Sequence, residues 1–231
     1  MENLDYAELS APFKNLIYQN PLAKESDTAK FILEGSANID FPNNKLRLSS
    51  VLDPALGQAA NYVYWCDELF PSDVLIEWDF MPLSETGLCI MFFSAQNQNG
   101  GSVFDAAPRN GKYDQYHSGD INAFHVSYYR LIPIHRDGEK LRTCNLRKSK
   151  GFFMAAQGGD PIPDLALCKE PFRISIIKHG PLVAFYVDAI LSFSFYDDGI
   201  KYGPLLGGGS IGFRQMSPMV GEYANLKVFT L

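Results

Sequence analysis

The chain has 231 residues, 46% of them hydrophobic and 13% aromatic, with a net charge of -6. It carries no basic run, which argues against nucleic acid or an anionic membrane surface as partner, since both need clustered Lys and Arg. The length suits one large all-β domain spanning residues 1–231. Four widely spaced cysteines, Cys66, Cys89, Cys144 and Cys168, form no C-x-x-C pair, so they read as buried thiols rather than a zinc or redox site. Residues 1–18 include Glu2, Asp5 and Glu8 and lack a long apolar run. That is neither a signal peptide nor a membrane span, and it points to the cytoplasm.

Residues 74–80 alternate, with Val74, Ile76, Trp78 and Phe80 on one side and Leu75, Glu77 and Asp79 on the other. Residues 88–95 form an apolar strand. A polar loop rich in Gly and Asn follows at 96–111, and residues 113–120 extend the loop with Tyr116 and His117. Residues 124–132 make an aromatic strand, ended by the turn His135-Arg136-Asp137-Gly138. Strand 141–148 comes next, then a second polar loop at 157–164. Strands 172–178 and 182–188 are joined by His179-Gly180-Pro181, a hairpin signal. Strand 192–196 precedes Gly207-Gly208-Gly209, read as a flexible turn. Strands 211–216 and 224–231 close the chain, the last expected to pair with residues 31–39. Many short strands without helical crossovers predict an all-β sandwich, not an α/β fold.

Splitting each strand by face gives apolar lists for the core and polar lists beside them. Phe124, Val126, Tyr128 and Arg130 oppose His125, Ser127, Tyr129 and Leu131, unless a bulge flips the register. Cys144 and Leu146 oppose Thr143, Asn145 and Arg147. Ile211 and Phe213 oppose Gly212, Arg214 and Met216. If the polar lists share one sheet, His125, Tyr129, Asn145, Arg147, Arg214 and Glu77 converge on one groove, with His117 at its edge.

His125 is the titratable group best suited to general-base work near neutral pH. With Tyr129 as proton donor and Arg147 and Arg214 holding a carboxylate, the set suits proton abstraction beside a uronate carboxylate, followed by elimination. Asn145 would share the carboxylate or stabilise enolate charge. The plainer alternative is a hydrogen-bonded structural histidine. A retaining glycosidase needs two carboxylates about 5 Å apart. Glu77-Trp78-Asp79 begins a Glu-x-Asp-x-x-Glu strand pattern, but Pro82 occupies its third position. Glycoside hydrolysis by Glu77, Asp79 or Asp188 therefore stays an alternative, as does a non-catalytic module that stacks sugar on Trp65 or Tyr129. The four histidines lack metal-ligand spacing, so no metal or cofactor is expected.

Tyr64-Trp65-Cys66, residues 73–79, Phe124-His125-Val126-Ser127-Tyr128-Tyr129-Arg130, Thr143-Cys144-Asn145-Leu146-Arg147-Lys148-Ser149 and Gly212-Phe213-Arg214-Gln215-Met216 resemble the YesU-like family of domains of unknown function. The resemblance spans nearly the whole chain. It implies a concanavalin-like jelly roll and a link to bacterial use of acidic polysaccharides, with an oligosaccharide as partner. It brings no agreed catalytic residues. Related jelly-roll lyases place His, Tyr, Arg and Gln on a concave sheet, and His125, Tyr129, Arg147 and Arg214 could take those parts, although the lyase motifs themselves are missing.

Overall fold

The computed structural model describes residues 4–66, 68–133 and 140–231. The turn holding His135 lies outside the described residues. A short helix, α1 (Tyr6–Ser10), is capped by Asp5, whose carboxylate accepts from the Ala7 and Glu8 amides. The strands then run β1 (Asn15–Asn20), β2 (Ile32–Glu34), β3 (Ala37–Asp40), β4 (Leu46–Ser50), β5 (Tyr62–Trp65), β6 (Val74–Pro82) and β7 (Leu88–Asn97). A second short helix, α2 (Asp114–His117), interrupts the polar loop. Next come β8 (Ile121–Pro133), β9 (Lys140–Ser149), β10 (Phe153–Gly159), β11 (Phe172–His179), β12 (Leu182–Val187), β13 (Ile190–Tyr196), β14 (Ser210–Met216) and β15 (Val220–Thr230).

These strands form two antiparallel sheets. The first has the order β13-β12-β11-β6-β15-β4-β3, with β1 paired on β15, and the second β10-β9-β8-β7-β14-β5-β2. Chain neighbours often lie in different sheets, as β5 and β6 do, so the chain passes repeatedly across the sandwich. The expected pairing of the last strand with residues 31–39 does not occur. β15 pairs with β1, β4 and β6 instead, because β2 lies in the second sheet on β5 and β4 intervenes between β3 and β15.

The alternation predicted from sequence governs which side chains meet between the sheets. Ile76, Trp78 and Phe80 from the first sheet pack against Met91, Phe93, Phe124, Val126, Tyr128, Cys144, Leu146 and Phe213 from the second. The Trp78 indole N–H donates to the Tyr128 hydroxyl at 3.3 Å, which satisfies two polar tips inside an aromatic core. All four cysteines are buried. On the far face of the first sheet, α1 covers a smaller cluster of Phe13, Leu75, Ile177, Ala184 and Tyr186. On the far face of the second sheet lies a third cluster, Val63, Trp65, Ile90, Phe92, Val103, Tyr116, Ile121 and Ala123. That outer face carries the candidate site. Among the described residues no helix is long and apolar enough to cross a membrane.

Candidate functional site

Register places the polar residues of the second sheet in rungs across its outer face. His125 on β8 faces Arg147 on β9 and Phe92 on β7, and that rung continues through Gly212 to Trp65. The next rung runs Asn145, Ser127, Ile90, Arg214, Val63 and Glu34. Gly212 is required where it stands, because a Cβ there would press into the Trp65 indole. β8 then bulges between Ser127 and Arg130, with Tyr129 at φ 51. The extra residue turns Tyr129 inward, onto the core ring of Phe80, and brings Arg130 to the outer face opposite Thr143.

The loop between β7 and β8 folds down over this face. Glu34 is its anchor. One carboxylate oxygen accepts from Trp65 Nε1 at 2.9 Å, the Tyr116 hydroxyl at 2.7 Å and Arg109 Nε at 3.1 Å, and the other accepts from Arg109 Nη2 at 2.6 Å. The Gly111 amide donates to the Tyr116 hydroxyl, and the Gly111 carbonyl accepts from Arg214 Nη1 at 2.7 Å. Gly111 has φ +93, and a Cβ there would collide with the Asn61 carbonyl, so no other residue lets the loop lie this close. Seated in this way, the loop carries Tyr113 onto the sheet. The Tyr113 hydroxyl lies 2.8 Å from His125 Nδ1, and Ser149 Oγ lies 3.0 Å from Nε2.

His125 is 2% exposed and stacked on Phe92, with ring centroids 5.3 Å apart. Burial, then the positive charge of Arg147, pushes its pKa well below the usual value, so the imidazole is neutral. In the tautomer protonated on Nε2, Tyr113 donates to Nδ1 and Nε2 donates to Ser149. Burial pushes the Tyr113 phenol up to about 12, while Arg214, Arg147 and Arg130 pull against that rise. Arg214 is fully buried beneath the loop, its guanidinium 4.9 Å from the Tyr113 ring centre and 5.2 Å from that of Tyr116. Burial brings its pKa down to about 10. Arg147 lies over the Phe152 ring at 3.7 Å and donates to the Phe152 carbonyl. The Phe152 ring in turn meets His117 at 4.3 Å and Tyr113 at 5.5 Å. Burial lowers the pKa of His117 as well. Beside these residues, a groove of 580 Å³ is lined by Leu56, Gln58, Ala59, Lys112, Tyr113, Asp114 and His117.

Among the described residues, Arg130, Arg147 and Arg214 form no ion pair with a carboxylate, whereas Arg47, Arg109, Arg142 and Arg173 each do. Among the described residues, the buried Asn145 Oδ1 and Arg214 Nε on this face have no hydrogen-bond partner.

The structure thus gathers His125, Arg147, Arg214, Asn145 and His117 on one face, and Tyr129 and Glu77 elsewhere. Tyr129 is buried on the core side under Arg142, whose guanidinium lies 4.0 Å from its ring centre. The bulge corrects its expected position. Glu77 belongs to β6 in the other sheet, on that sheet's outer face, where it accepts from the Tyr6 hydroxyl at 2.5 Å and lies 3.7 Å from Arg173. Asp79 shares that face and binds Arg173 at 2.6 Å, and Asp188 accepts from the Arg173 amide. Strand alternation alone cannot assign a strand to a sheet, so the sequence reading merged two opposite surfaces. Trp65 is fully buried under the loop and offers no open ring for sugar. The residues that sequence reasoning missed are Tyr113 and Arg130. For Arg130 a signal existed. Tyr128 and Tyr129 are adjacent large aromatics in a strand that otherwise alternates, which marks an inserted residue.

Comparison with known proteins places this architecture. The model of a family described as a domain of unknown function, DUF1961, matches residues 15–228. An uncharacterised protein, YesU of Bacillus subtilis (strain 168), is 42% identical over 214 residues, covering 92% of this chain and 94% of that one. The chain therefore belongs to the DUF1961 family, as its sequence resemblance implies. A crystal structure of a Bacillus subtilis protein of unknown function with a galectin-like fold superposes with a TM-score of 0.88 at 41% identity, covering 94% of this chain and 97% of that one. More distantly, the carbohydrate recognition domain of Emp47p superposes with a TM-score of 0.58 at 13% identity, over 94% and 97% of the two chains. The fold is the concanavalin-like jelly-roll sandwich expected from the sequence.

Proposed function

We propose that this member of the DUF1961 family binds uronate-bearing saccharides on the outer face of its second sheet and acts on them by elimination, as a lyase or dehydratase. The observation that carries the reading is a neutral Tyr113–His125 pair set beside arginines that have no carboxylate partner among the described residues. An arginine without a protein counter-ion next to a groove suits a ligand carboxylate, which it can hold bidentately. The distant likeness to a carbohydrate recognition domain agrees with a sugar ligand.

In this reading Arg147 pairs with the uronate carboxylate and acidifies the hydrogen on the adjacent carbon. Tyr113 passes its hydroxyl proton to His125 Nδ1 as the phenolate oxygen takes that hydrogen. The electron pair enters an enolate, stabilised by Arg147 with Asn145. It then forms the carbon–carbon double bond as the β-oxygen leaves with the proton now on Tyr113. His125 returns its proton to Tyr113. Tyr113 so fills the part that sequence reasoning gave to Tyr129, and His125 acts through it. Arg214, buried behind the Tyr113 ring, favours the phenolate rather than gripping substrate.

Purified protein mixed with a panel of uronate oligosaccharides should produce ultraviolet absorbance from the new double bond. Tyr113→Phe should lower that rate by at least about a hundredfold, the usual scale of general acid–base catalysis. Absence of absorbance across the panel, or full activity in Tyr113→Phe, would refute elimination. One observation favours a second reading. Both His125 ring nitrogens are already bonded and the ring is buried, as in a structural histidine. A sugar-binding module without turnover would then show saturable binding with no product.

A further inference from the structure

The outer face of β8 and β9 bears a second arginine that the proposed elimination does not use. Beyond the His125–Arg147 rung, the two strands present Ser127 with Asn145, and then Arg130 with Thr143. Side chains on one face recur every second residue, at about 3.3 Å per residue, so Arg147 and Arg130 rise from backbone positions about 13 Å apart along the seam. Among the described residues, the half-buried Arg130 donates only to Thr143 Oγ1 at 3.3 Å and has no carboxylate partner. Between the two arginines sits Asn145, 3% exposed, with its Oδ1 buried and unpartnered. A buried acceptor left without a donor is costly and is normally satisfied by water or ligand. A hydroxyl group supplies the missing donor.

Resting on the proposed function, we infer that the site reads two anionic groups along the β8–β9 seam, one at Arg147 and one at Arg130, with a sugar hydroxyl donating to Asn145 between them. The ligand class is then a saccharide with acidic groups on neighbouring units, not a lone uronate on a neutral sugar. Two like charges left unpaired in one half-buried patch repel each other, and a ligand bearing two carboxylates relieves both. The bulge at Tyr129 gains a purpose here, since without it Arg130 would point into the core.

The test is calorimetric titration of wild-type protein and Arg130→Gln with two probes of similar size. One is a di-uronate, and the other an aldobiouronate with a single carboxylate on a neutral sugar. Wild type should bind the di-uronate about tenfold more tightly, the scale of one charge-assisted contact. Arg130→Gln should remove that preference and leave aldobiouronate affinity within about twofold. Equal wild-type affinity for the two probes, or equal weakening of both in Arg130→Gln, overturns the two-charge inference alone. Binding of neither probe by wild type overturns the functional reading beneath it as well.

Discussion

Glu34 decides whether the candidate site exists, and Glu34→Gln isolates its contribution. Glu34 and Arg109 form an ion pair at 2.6 Å with side chains only 9% and 3% exposed. Gln keeps one acceptor oxygen for Trp65 or Tyr116, but its amide nitrogen faces Arg109 donors and leaves that guanidinium only the longer pair to the partly exposed Asp120 carboxylate at 4.0 Å. Breaking a buried pair in this way costs about 3–5 kcal/mol, and the retained acceptor points to the lower end. For a chain of this size, about 3 kcal/mol lowers Tm by roughly 6–12 °C if the loop and sandwich unfold together. If the loop opens alone, amide hydrogen exchange in residues 98–120 should rise by about two orders of magnitude while the strands stay protected. Calorimetry and exchange mass spectrometry on the same variant separate these outcomes. In both, Tyr113 leaves His125, and any saccharide activity should fall with it. A Tm within about 2 °C of wild type together with unchanged exchange would show that the carboxylate does not fasten the loop.

Two other results are expected. His125 has a depressed native pKa, so the unfolded chain takes up its proton first as pH falls below about 6.5. Stability from this residue is complete above that pH. It is lost on acidification, by up to about 1.4 kcal/mol per pH unit until the native value is reached. Denaturant titrations from pH 7.5 to 5 should show a steeper loss in wild type than in His125→Gln, and parallel curves would exclude a buried neutral imidazole. Tyr129→Phe removes a buried hydroxyl that has no partner among the described residues, so stability should change by less than about 0.5 kcal/mol or rise. Its saccharide activity should match wild type, whereas a loss as large as that of Tyr113→Phe would return Tyr129 to the chemistry.

Much of the fold was legible because strand alternation is local. Val74, Ile76, Trp78 and Phe80, and equally Phe124, Val126 and Tyr128, enter the core as their two-residue period requires. The same period put His125, Asn145, Arg147 and Arg214 on polar faces, and the structure joins those faces in one sheet. Glu77 fits the same local pattern yet lies on the opposite side of the sandwich, because sheet membership depends on pairing between distant segments.

By itself, the sequence determined the sandwich, its core and the polar strand face that carries His125, since apolar burial and strand period act residue by residue. Tertiary structure decided what His125 meets. Tyr113 comes from an aperiodic loop, placed by a carboxylate 79 positions away in sequence from the phenol it orients. Arg130 reaches the face only through a bulge, whose single extra residue reverses every side chain after it. Both depend on contacts made after the chain has folded: the adjacent Tyr128 and Tyr129 mark an inserted residue but not the face it opens, and no local pattern encodes the seat of Tyr113.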